Sequence, residues 1–195
     1  TTPNAKLAEF DDGLYEILLV KYPTNPIDLQ ATATAYFMGE FNPEYMDDYL
    51  AQIDEVCDEI IASMPEGSNA DKYEYLGREI CQRTVYLDRE NDVPDSEVDW
   101  SDCYLNGSLL YGKASCQGYS YAYQYLCHRA GLWCVTVFSN THCWNLVMLE
   151  DGSTYHVDLT WADSSDDFAA NFLLTQEEAE FSRTPIEGSW VATEK

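Results

Sequence analysis

One cysteine in the sequence has surroundings that favour a reactive thiolate. Cys116 follows residues 112–115 (Gly-Lys-Ala-Ser) and stands where a helix is predicted to begin. The N-terminus of a helix carries partial positive charge and free backbone N–H groups, and both favour the thiolate, which is the nucleophilic form of cysteine. The same N–H groups are suited to hold an oxyanion, and Gly118 leaves the approach to the sulfur open. Cys116 is therefore the candidate nucleophile.

A possible base and its orienting acid depend on the length of one hairpin loop. His142 opens a predicted strand, and Asp158 lies in the predicted strand that returns beside it. A two-residue turn would place Asp158 opposite Asn145, on the face away from His142. A three-residue loop over 150–152 has its glycine at the left-handed position of a bulged turn and places Asp158 opposite Trp144, so that the acid and the imidazole share a face. We predict the three-residue loop.

These residues form a hypothesis for covalent catalysis. Asp158 orients the imidazole of His142 and stabilises its protonated form. His142 takes the proton from Cys116 and later delivers it to the leaving amine, while Cys116 forms a thioester. Gln117 and Trp144 are the candidate substrate-binding residues, and Trp144 is also expected to shield the histidine and the aspartate from water.

Other interpretations of the same residues stay open. His156 lies two residues before Asp158 on the same strand face and is a competing base. His128 is expected at the surface, on the polar side of its helix. Cys143 neighbours His142 in the sequence, but strand alternation points its side chain to the opposite face. The three polar residues of the hypothesis could also lie near a core without acting together.

The elements that must position these residues are helices followed by antiparallel strands. Apolar residues at helical spacing predict three helices, over 43–64, 71–87 and 116–130. Alternating apolar residues predict three strands, over 133–138, 142–149 and 154–161. A capping box at 175–178 begins a last short helix. This order predicts an α+β domain in which the nucleophile helix packs on an antiparallel β-meander.

Composition and charge argue against several classes of function. The 195 residues include 10 Lys and Arg against 35 Asp and Glu, a net charge of −25. Such a surface repels phosphate backbones and anionic lipids, so no nucleic-acid partner is expected. No apolar run reaches the roughly 18–20 residues of a membrane span, so no membrane insertion is expected. None of the seven cysteines forms a CxxC pair, so no structural zinc site is expected, and three scattered histidines do not make another metal site. No cofactor is expected.

Two further expectations concern the cysteines and the chain outside the meander. Most of the thiols are expected to be small buried residues, with one or two disulfides as the alternative. The acidic stretch over 88–102 is expected to be a solvated loop. Segments 14–20 and 31–38 read as strand, or as a short buried helix in the first case.

Three blocks of sequence together resemble the bacterial transglutaminase-like superfamily. They are GKASCQGY around Cys116, HCWNLV from His142 and YHVDLTW around Asp158, in the family's order and at its approximate spacing. The resemblance covers roughly residues 70–182. It implies a papain-like α+β core with Cys116 as nucleophile, His142 as base and Asp158 as orienting acid. Residues 43–195 would form the transglutaminase-like domain, and residues 1–42 an N-terminal, strand-containing extension that packs on it.

The sequence departs from the family pattern at three positions near the site. Cys143 stands where a small residue such as Ala is usual, and Asn106 where relatives often have Tyr. Leu110 lies six residues before Cys116, where papain-like proteases have Gln. The backbone N–H of Cys116 is therefore the expected oxyanion donor, and the second donor stays open.

The resemblance implies a thiol enzyme acting on amide bonds, since members include cross-linkers, peptidases, amidases and inactive relatives. We expect a peptidase or amidase rather than a protein cross-linker, with protein or peptide substrates, including cationic ones attracted by the acidic loop. The alternative is a non-catalytic cell-surface interaction module on the same fold. Acidity, the absence of a starting Met and the resemblance to exported bacterial proteins predict a secreted or surface protein whose signal peptide has been removed. The acyl acceptor and the oligomeric state stay open.

Overall fold

The computed structural model describes residues 43–87, 103, 105–183 and 192–193, with side chains in the first helix described from residue 51. The predicted strands before residue 43, the proposed extension over 1–42 and the acidic stretch over 88–102 lie outside the described residues. The division into an extension and a domain therefore stays a prediction.

Two helices precede the nucleophile helix, as the apolar periodicity predicts. Helix α1 spans Pro43–Ala62 and helix α2 spans Asn69–Arg83. The prediction that α2 continues to residue 87 is wrong. Thr84 adopts an extended conformation, and strand β1 (Val85–Tyr86) pairs in parallel with strand β2 (Lys113–Ala114). β-Branched residues favour strand over helix geometry, and here the backbone groups that leave the helix find partners in β2.

Helix α3 lies at the centre of the described chain and carries the candidate nucleophile at its first position. It spans Cys116–Arg129, and Gly131 ends the turn that follows with a φ of 76°. Both features agree with the sequence prediction. α3 packs against α2 on one side and the sheet on the other, so even three of its four tyrosines are buried. Their hydroxyls find partners at the edge of the helix, as when Tyr123 donates to the carbonyl of Tyr73 at 2.9 Å.

A four-stranded antiparallel sheet completes the core. Its strands lie side by side in chain order: β3 (Cys134–Phe138), β4 (Cys143–Met148), β5 (Thr154–Val157) and β6 (Phe172–Leu174). Two short helical turns lie between the elements, a π-helical turn over Gly107–Tyr111 and a 3-10 turn over Phe168–Asn171. The mixture of helices and antiparallel strands is compatible with the predicted α+β class.

The loop between β4 and β5 sets the register on which the site depends. The N–H of Leu149 donates to the carbonyl of Ser153 at 2.9 Å, and the N–H of Gly152 donates back to Leu149 at 3.0 Å, which leaves three residues in the loop. Gly152 has a φ of 82°, the left-handed conformation that glycine adopts without strain. Asn145 lies opposite Val157. The predicted three-residue loop and its register are confirmed.

The third strand of the meander is shorter than the sequence predicts. β5 ends at Val157 rather than at residue 161. The Asp158 carboxylate accepts a hydrogen bond from the Trp161 N–H at 3.1 Å and so begins a short helix, α4 (Leu159–Asp163). An aspartate that caps a helix competes with strand formation, and strand alternation in the sequence does not reveal that competition. The predicted capping box begins α5 (Gln176–Glu180), as expected.

The sheet separates two apolar clusters. The larger one contains α2, α3 and the face of the sheet that they cover. The smaller one, on the other face, contains Val135, Val137, Trp144, Leu146 and Ala192. All seven cysteines lie among the described residues and are free thiols, five of them buried, so the structure favours packing over disulfides. Across the described residues, no helix combines the length and apolarity needed to cross a membrane.

Candidate active site

The start of α3 presents the Cys116 sulfur at the edge of the core. Cys116 is half-buried, whereas the cysteines along the rest of α3 and in β3 and β4 are buried. Ser115 precedes it in an extended conformation and makes no side-chain cap. The first backbone N–H groups of the helix therefore have no intrahelical acceptors and receive no side-chain cap from Ser115. The site thus combines partial exposure with a field that favours negative charge.

His142 and Asp158 meet as the predicted register requires. His142 closes the tight connection between β3 and β4, where its N–H donates to Ser139 Oγ at 3.0 Å and its carbonyl accepts from the Ser139 N–H at 2.7 Å. Its Nε2 lies 2.8 Å from Asp158 Oδ2. Asp158 is fully buried and is held by the Trp161 N–H on its other oxygen. The backbone of α4 therefore holds one oxygen of the Asp158 carboxylate while the other oxygen contacts the imidazole.

The Cys116 sulfur has donors on two sides. The hydrogen bond from the Cys143 side chain is the largest cause that lowers the pKa of the Cys116 thiol to about 4. Burial opposes this shift, and the hydrogen bond and charge of His142 add to it, as does the backbone N–H of Cys143. The pKa of the Cys143 thiol is raised, first by its bond to Cys116 and then by burial, so Cys143 keeps its proton and donates it.

His142 is the cation that balances this thiolate. Burial is the largest single influence on its pKa and lowers it, but the hydrogen bonds and charges of Asp158 and Cys116 outweigh burial and raise the pKa to about 9. Because Nε2 contacts Asp158, the other ring nitrogen, Nδ1, is the one available to Cys116. Between about pH 4 and pH 9 the pair is therefore a thiolate beside an imidazolium.

The side chains of His142 and Cys143 lie on opposite faces of the strand, as alternation requires, and yet both contact the Cys116 sulfur. Cys143 faces α3, where it contacts Ser120 and Cys116, and the ring of His142 stacks instead on Trp144. Both side chains reach the same sulfur because the start of α3 lies beside the beginning of β4. Strand alternation thus predicts the opposite faces of the two side chains correctly but does not reveal that both reach Cys116.

Two tryptophans hold the imidazole between them. The rings of His142 and Trp144 lie 5.8 Å apart at an angle of 21°, and those of His142 and Trp161 lie 5.2 Å apart at 16°. Trp144 is buried, which agrees with the predicted shielding of the histidine from water. Trp161 is more than a third exposed and covers the other face of the ring. The stack fixes the plane of the imidazole between Cys116 and Asp158.

The structure separates the other two histidines from the reacting groups. His156 is fully buried and accepts the Trp144 indole N–H on Nδ1 at 2.9 Å, while its Nε2 lies 2.9 Å from Gln176 Oε1. Both of its ring nitrogens are occupied, so the competing base is a support for Trp144. His128 lies near the opposite end of α3, with Nε2 at 2.7 Å from the Cys134 carbonyl. Its expected place at the surface is wrong, since it is half-buried.

One further charged residue reaches the site, and no sequence pattern signals it. Arg183 follows α5 and is buried, with Nε at 2.6 Å from Asp158 Oδ2, the same oxygen that His142 contacts. Its guanidinium lies 4.1 Å from the centre of the Trp161 ring. Arg183 is 25 residues beyond Asp158 in the chain, so only the tertiary fold brings it there.

A cavity of about 260 Å³ opens beside His142. It is bounded by the connection between β3 and β4, by the aromatic stack and by the segment after α5: Ser139, Asn140, Thr141, His142, Trp144, Trp161, Ser182 and Arg183. Trp144 therefore lines a space next to the imidazole, where a substrate group can lie. Gln117 is half-buried in the first turn of α3, and its predicted contact with substrate stays a prediction.

The donor set of the described residues shows no metal centre. No group of three or more His, Cys, Asp or Glu side chains among them is arranged to hold a metal ion. The groups that converge on Cys116 are instead an imidazole, a thiol and a backbone N–H. Asn106, the family departure noted above, is buried, and its side-chain oxygen has no hydrogen-bond partner in the described region. The second oxyanion donor therefore stays open.

Comparisons with known proteins give evidence on the fold of this chain but not on its function. No protein-family model matches the chain, and no curated protein matches it either. A solved structure described as a TGase is similar, with a TM-score of 0.50 and 19% identical residues. The match covers 62% of this chain and 34% of that structure, so the chain spans about a third of its length. This likeness is one of fold, and it supports the transglutaminase-like α+β fold that the sequence blocks imply.

Proposed function

We propose that the protein is a thiol enzyme that acts on amide bonds through a thioester at Cys116. The observation that carries the proposal is the continuous chain of contacts from the Cys116 sulfur through the His142 imidazole to the Asp158 carboxylate, at the partly exposed start of a helix. A buried core would need none of these three polar groups, and burying them has a cost that only specific pairing offsets. Their arrangement meets the geometric requirements of a nucleophile, a base and an orienting acid.

The first half of the reaction transfers the acyl group to sulfur. The Cys116 thiolate attacks the amide carbon, and the carbonyl oxygen becomes an oxyanion near the N–H groups of the first turn of α3. The His142 imidazolium gives its proton to the amide nitrogen, the C–N bond breaks, and an amine leaves. His142 is then neutral, and the sulfur carries a thioester.

The second half restores the enzyme. Neutral His142 takes a proton from the acceptor, the acceptor oxygen or nitrogen attacks the thioester carbon, and the thiolate leaves to re-form the ion pair. Water as acceptor gives an acid, and a lysine amine gives a cross-link. The cavity beside His142 favours water, because the described residues of its lining include the Arg183 guanidinium and no carboxylate that would bind an ammonium group.

The test is to trap the acyl-enzyme. The protein is incubated with a peptide library that contains glutamine and C-terminal amides, quenched in acid, and its intact mass and peptide map are measured, with ammonia release followed in parallel. We expect a mass increase located on Cys116 and its loss on further incubation in water. Cys116→Ser serves as the control for the site of attachment. A wild-type protein that acquires no acyl group at Cys116, with any peptide in the library, would support the non-catalytic interaction module instead.

A further inference from the structure

The carboxylate of Asp158 has two cationic partners on one oxygen. Asp158 Oδ2 lies 2.8 Å from His142 Nε2 and 2.6 Å from Arg183 Nε. The carboxylate and the guanidinium are almost removed from solvent, with 1% of the Asp158 side chain and 3% of the Arg183 side chain exposed, against 14% of the His142 side chain. A guanidinium stays charged at all relevant pH values. The negative charge that stabilises the imidazolium is therefore shared with a permanent cation.

Arg183 is held in place by contacts on every side. Its NH1 donates to Ser182 Oγ at 2.9 Å, and its NH2 donates to the Asn171 side chain. The face of its guanidinium rests on Trp161, whose other contact in the stack is the His142 ring. Arg183 thus fixes both neighbours of the imidazole, the carboxylate on one nitrogen and the indole on one face.

We propose that Arg183 is a positioning residue that shares the Asp158 carboxylate with His142 and thereby sets how readily the imidazolium gives up its proton. The inference rests on the proposed function, in which His142 must deliver a proton to the leaving amine. An imidazolium stabilised by an undivided buried carboxylate would be a weaker acid. The guanidinium weakens that stabilisation while it keeps the carboxylate in place.

Charged and titratable groups face His142 from each element packed against it. On the side of the sulfur they are the Cys116 thiolate and the protonated Cys143 thiol, on the side of the carboxylate they are Asp158 and Arg183, and the neutral imidazole of His156 is reached through Trp144. Of these, only Arg183 is a permanent cation. Removal of Arg183 is expected to raise the pKa of His142. The thiolate and the carboxylate both favour the imidazolium, and without Arg183 no cation opposes them.

The test is a titration of His142 in the resting protein. The chain has three histidines, so their ring signals in a carbon–proton NMR spectrum are few, and His142→Gln assigns the relevant one. Two unit charges about 5 Å apart at an effective dielectric constant of about 20 can shift a pKa by about two units. We therefore expect Arg183→Gln to raise the pKa of His142 by about one unit or more, while Arg183→Lys, which keeps the charge, leaves it within about 0.3 units.

A matched control removes the same charge elsewhere. Arg129 lies at the last position of α3 and pairs with Asp54 and Asp58, about 20 Å along the helix from Cys116. Arg129→Gln changes the net charge equally, and we expect no shift at His142. Circular dichroism checks that each variant is folded.

Each outcome of the titration decides the proposal. A shift in Arg183→Gln that is absent, downward or matched by Arg129→Gln overturns it. If Arg183→Gln does not fold, Arg183→Lys decides alone, and a shift of more than about half a unit contradicts the proposal. The titration needs no substrate. Failure to find a thioester therefore leaves this test intact, and a failed titration leaves the proposed function standing.

Discussion

Cys143 offers the sharpest test of how the protein activates Cys116, because it stands where the resembled family usually has a small residue. Its thiol donates a hydrogen bond to the Cys116 sulfur and is the largest cause of the lowered pKa of that thiol. Replacing Cys143 with Ala removes this donor and leaves the backbone N–H of residue 143 and the His142 imidazolium in place. The variant therefore isolates one hydrogen bond to a half-buried thiolate.

The size of the effect follows from the strength of such a bond. A hydrogen bond to a charged group contributes about 1.5–3 kcal/mol, and one pKa unit corresponds to about 1.4 kcal/mol. We expect Cys143→Ala to raise the pKa of Cys116 by about one to two units, from its value of about 4. Cys143→Ser keeps an O–H donor at the same position, so its midpoint should stay within about half a unit of the wild type.

The assay is the pH midpoint of thiolate formation. Absorbance near 240 nm is followed from pH 3 to 8, and the pH dependence of Cys116 alkylation is resolved by mass spectrometry of its peptide. The midpoint is the proper readout because thiolate nucleophilicity rises with pKa, which offsets part of the change in rate. Cys127→Ala controls for the loss of a buried sulfur farther along α3. Equal midpoints in Cys143→Ala and the wild type, or equal shifts in the Ala and Ser variants, would refute the reasoning.

Three other predictions concern pH, charge and backbone. The value of kcat/KM should be constant between about pH 4 and pH 9. At lower pH it should decrease because Cys116 takes up a proton, and at higher pH it should decrease because His142 loses one. The measurement is a pH profile with a peptide that forms the acyl-enzyme. Asp158→Asn keeps the helix cap but leaves the Arg183 guanidinium buried without its carboxylate, so denaturant unfolding should show a loss of about 3–5 kcal/mol, and an unchanged midpoint would contradict the buried ion pair. Gly152→Ala forces a side chain into a φ of 82° and should cost about 1 kcal/mol in the same assay, with Cys116 alkylation retained if only the loop is strained.

The register of the site could be predicted from local sequence because it depends on short-range chemistry. The Glu-Asp-Gly loop requires a left-handed residue and supplies glycine at that position, which fixes which face of the sheet Asp158 takes. The start of α3 could also be predicted from local sequence, because residues 112–115 interrupt the helical pattern and an apolar helical face begins after Cys116. The first inference predicts that His142 and Asp158 meet, and the second places Cys116 at the start of its helix, while the approach of Cys116 to His142 depends on how the helix packs on the sheet.

What the sequence could not show depends on contacts between distant segments. Arg183 reaches Asp158 only after β6 and α5 have folded back onto the sheet, and an arginine at the end of a short acidic helix looks like a surface residue. The sequence pattern predicts that Asp158 lies in a strand, because alternation does not show that its carboxylate caps α4 instead. The substrate, the acceptor and a secreted or surface location stay predictions.

The relative reactivity of the cysteines at pH 6 tests the central claim most directly. The two half-exposed thiols are Cys116, with a pKa lowered to about 4, and Cys81, with a pKa that burial raises to about 12. After allowing for the lower nucleophilicity of a low-pKa thiolate, iodoacetamide should modify Cys116 on the order of a hundredfold faster than Cys81. His142→Gln should raise the pH at which Cys116 becomes reactive, because the thiolate loses its cation. Modification of both cysteines at similar rates, or a Cys116 that stays unmodified in the folded protein, would contradict a reactive thiolate held by an imidazolium.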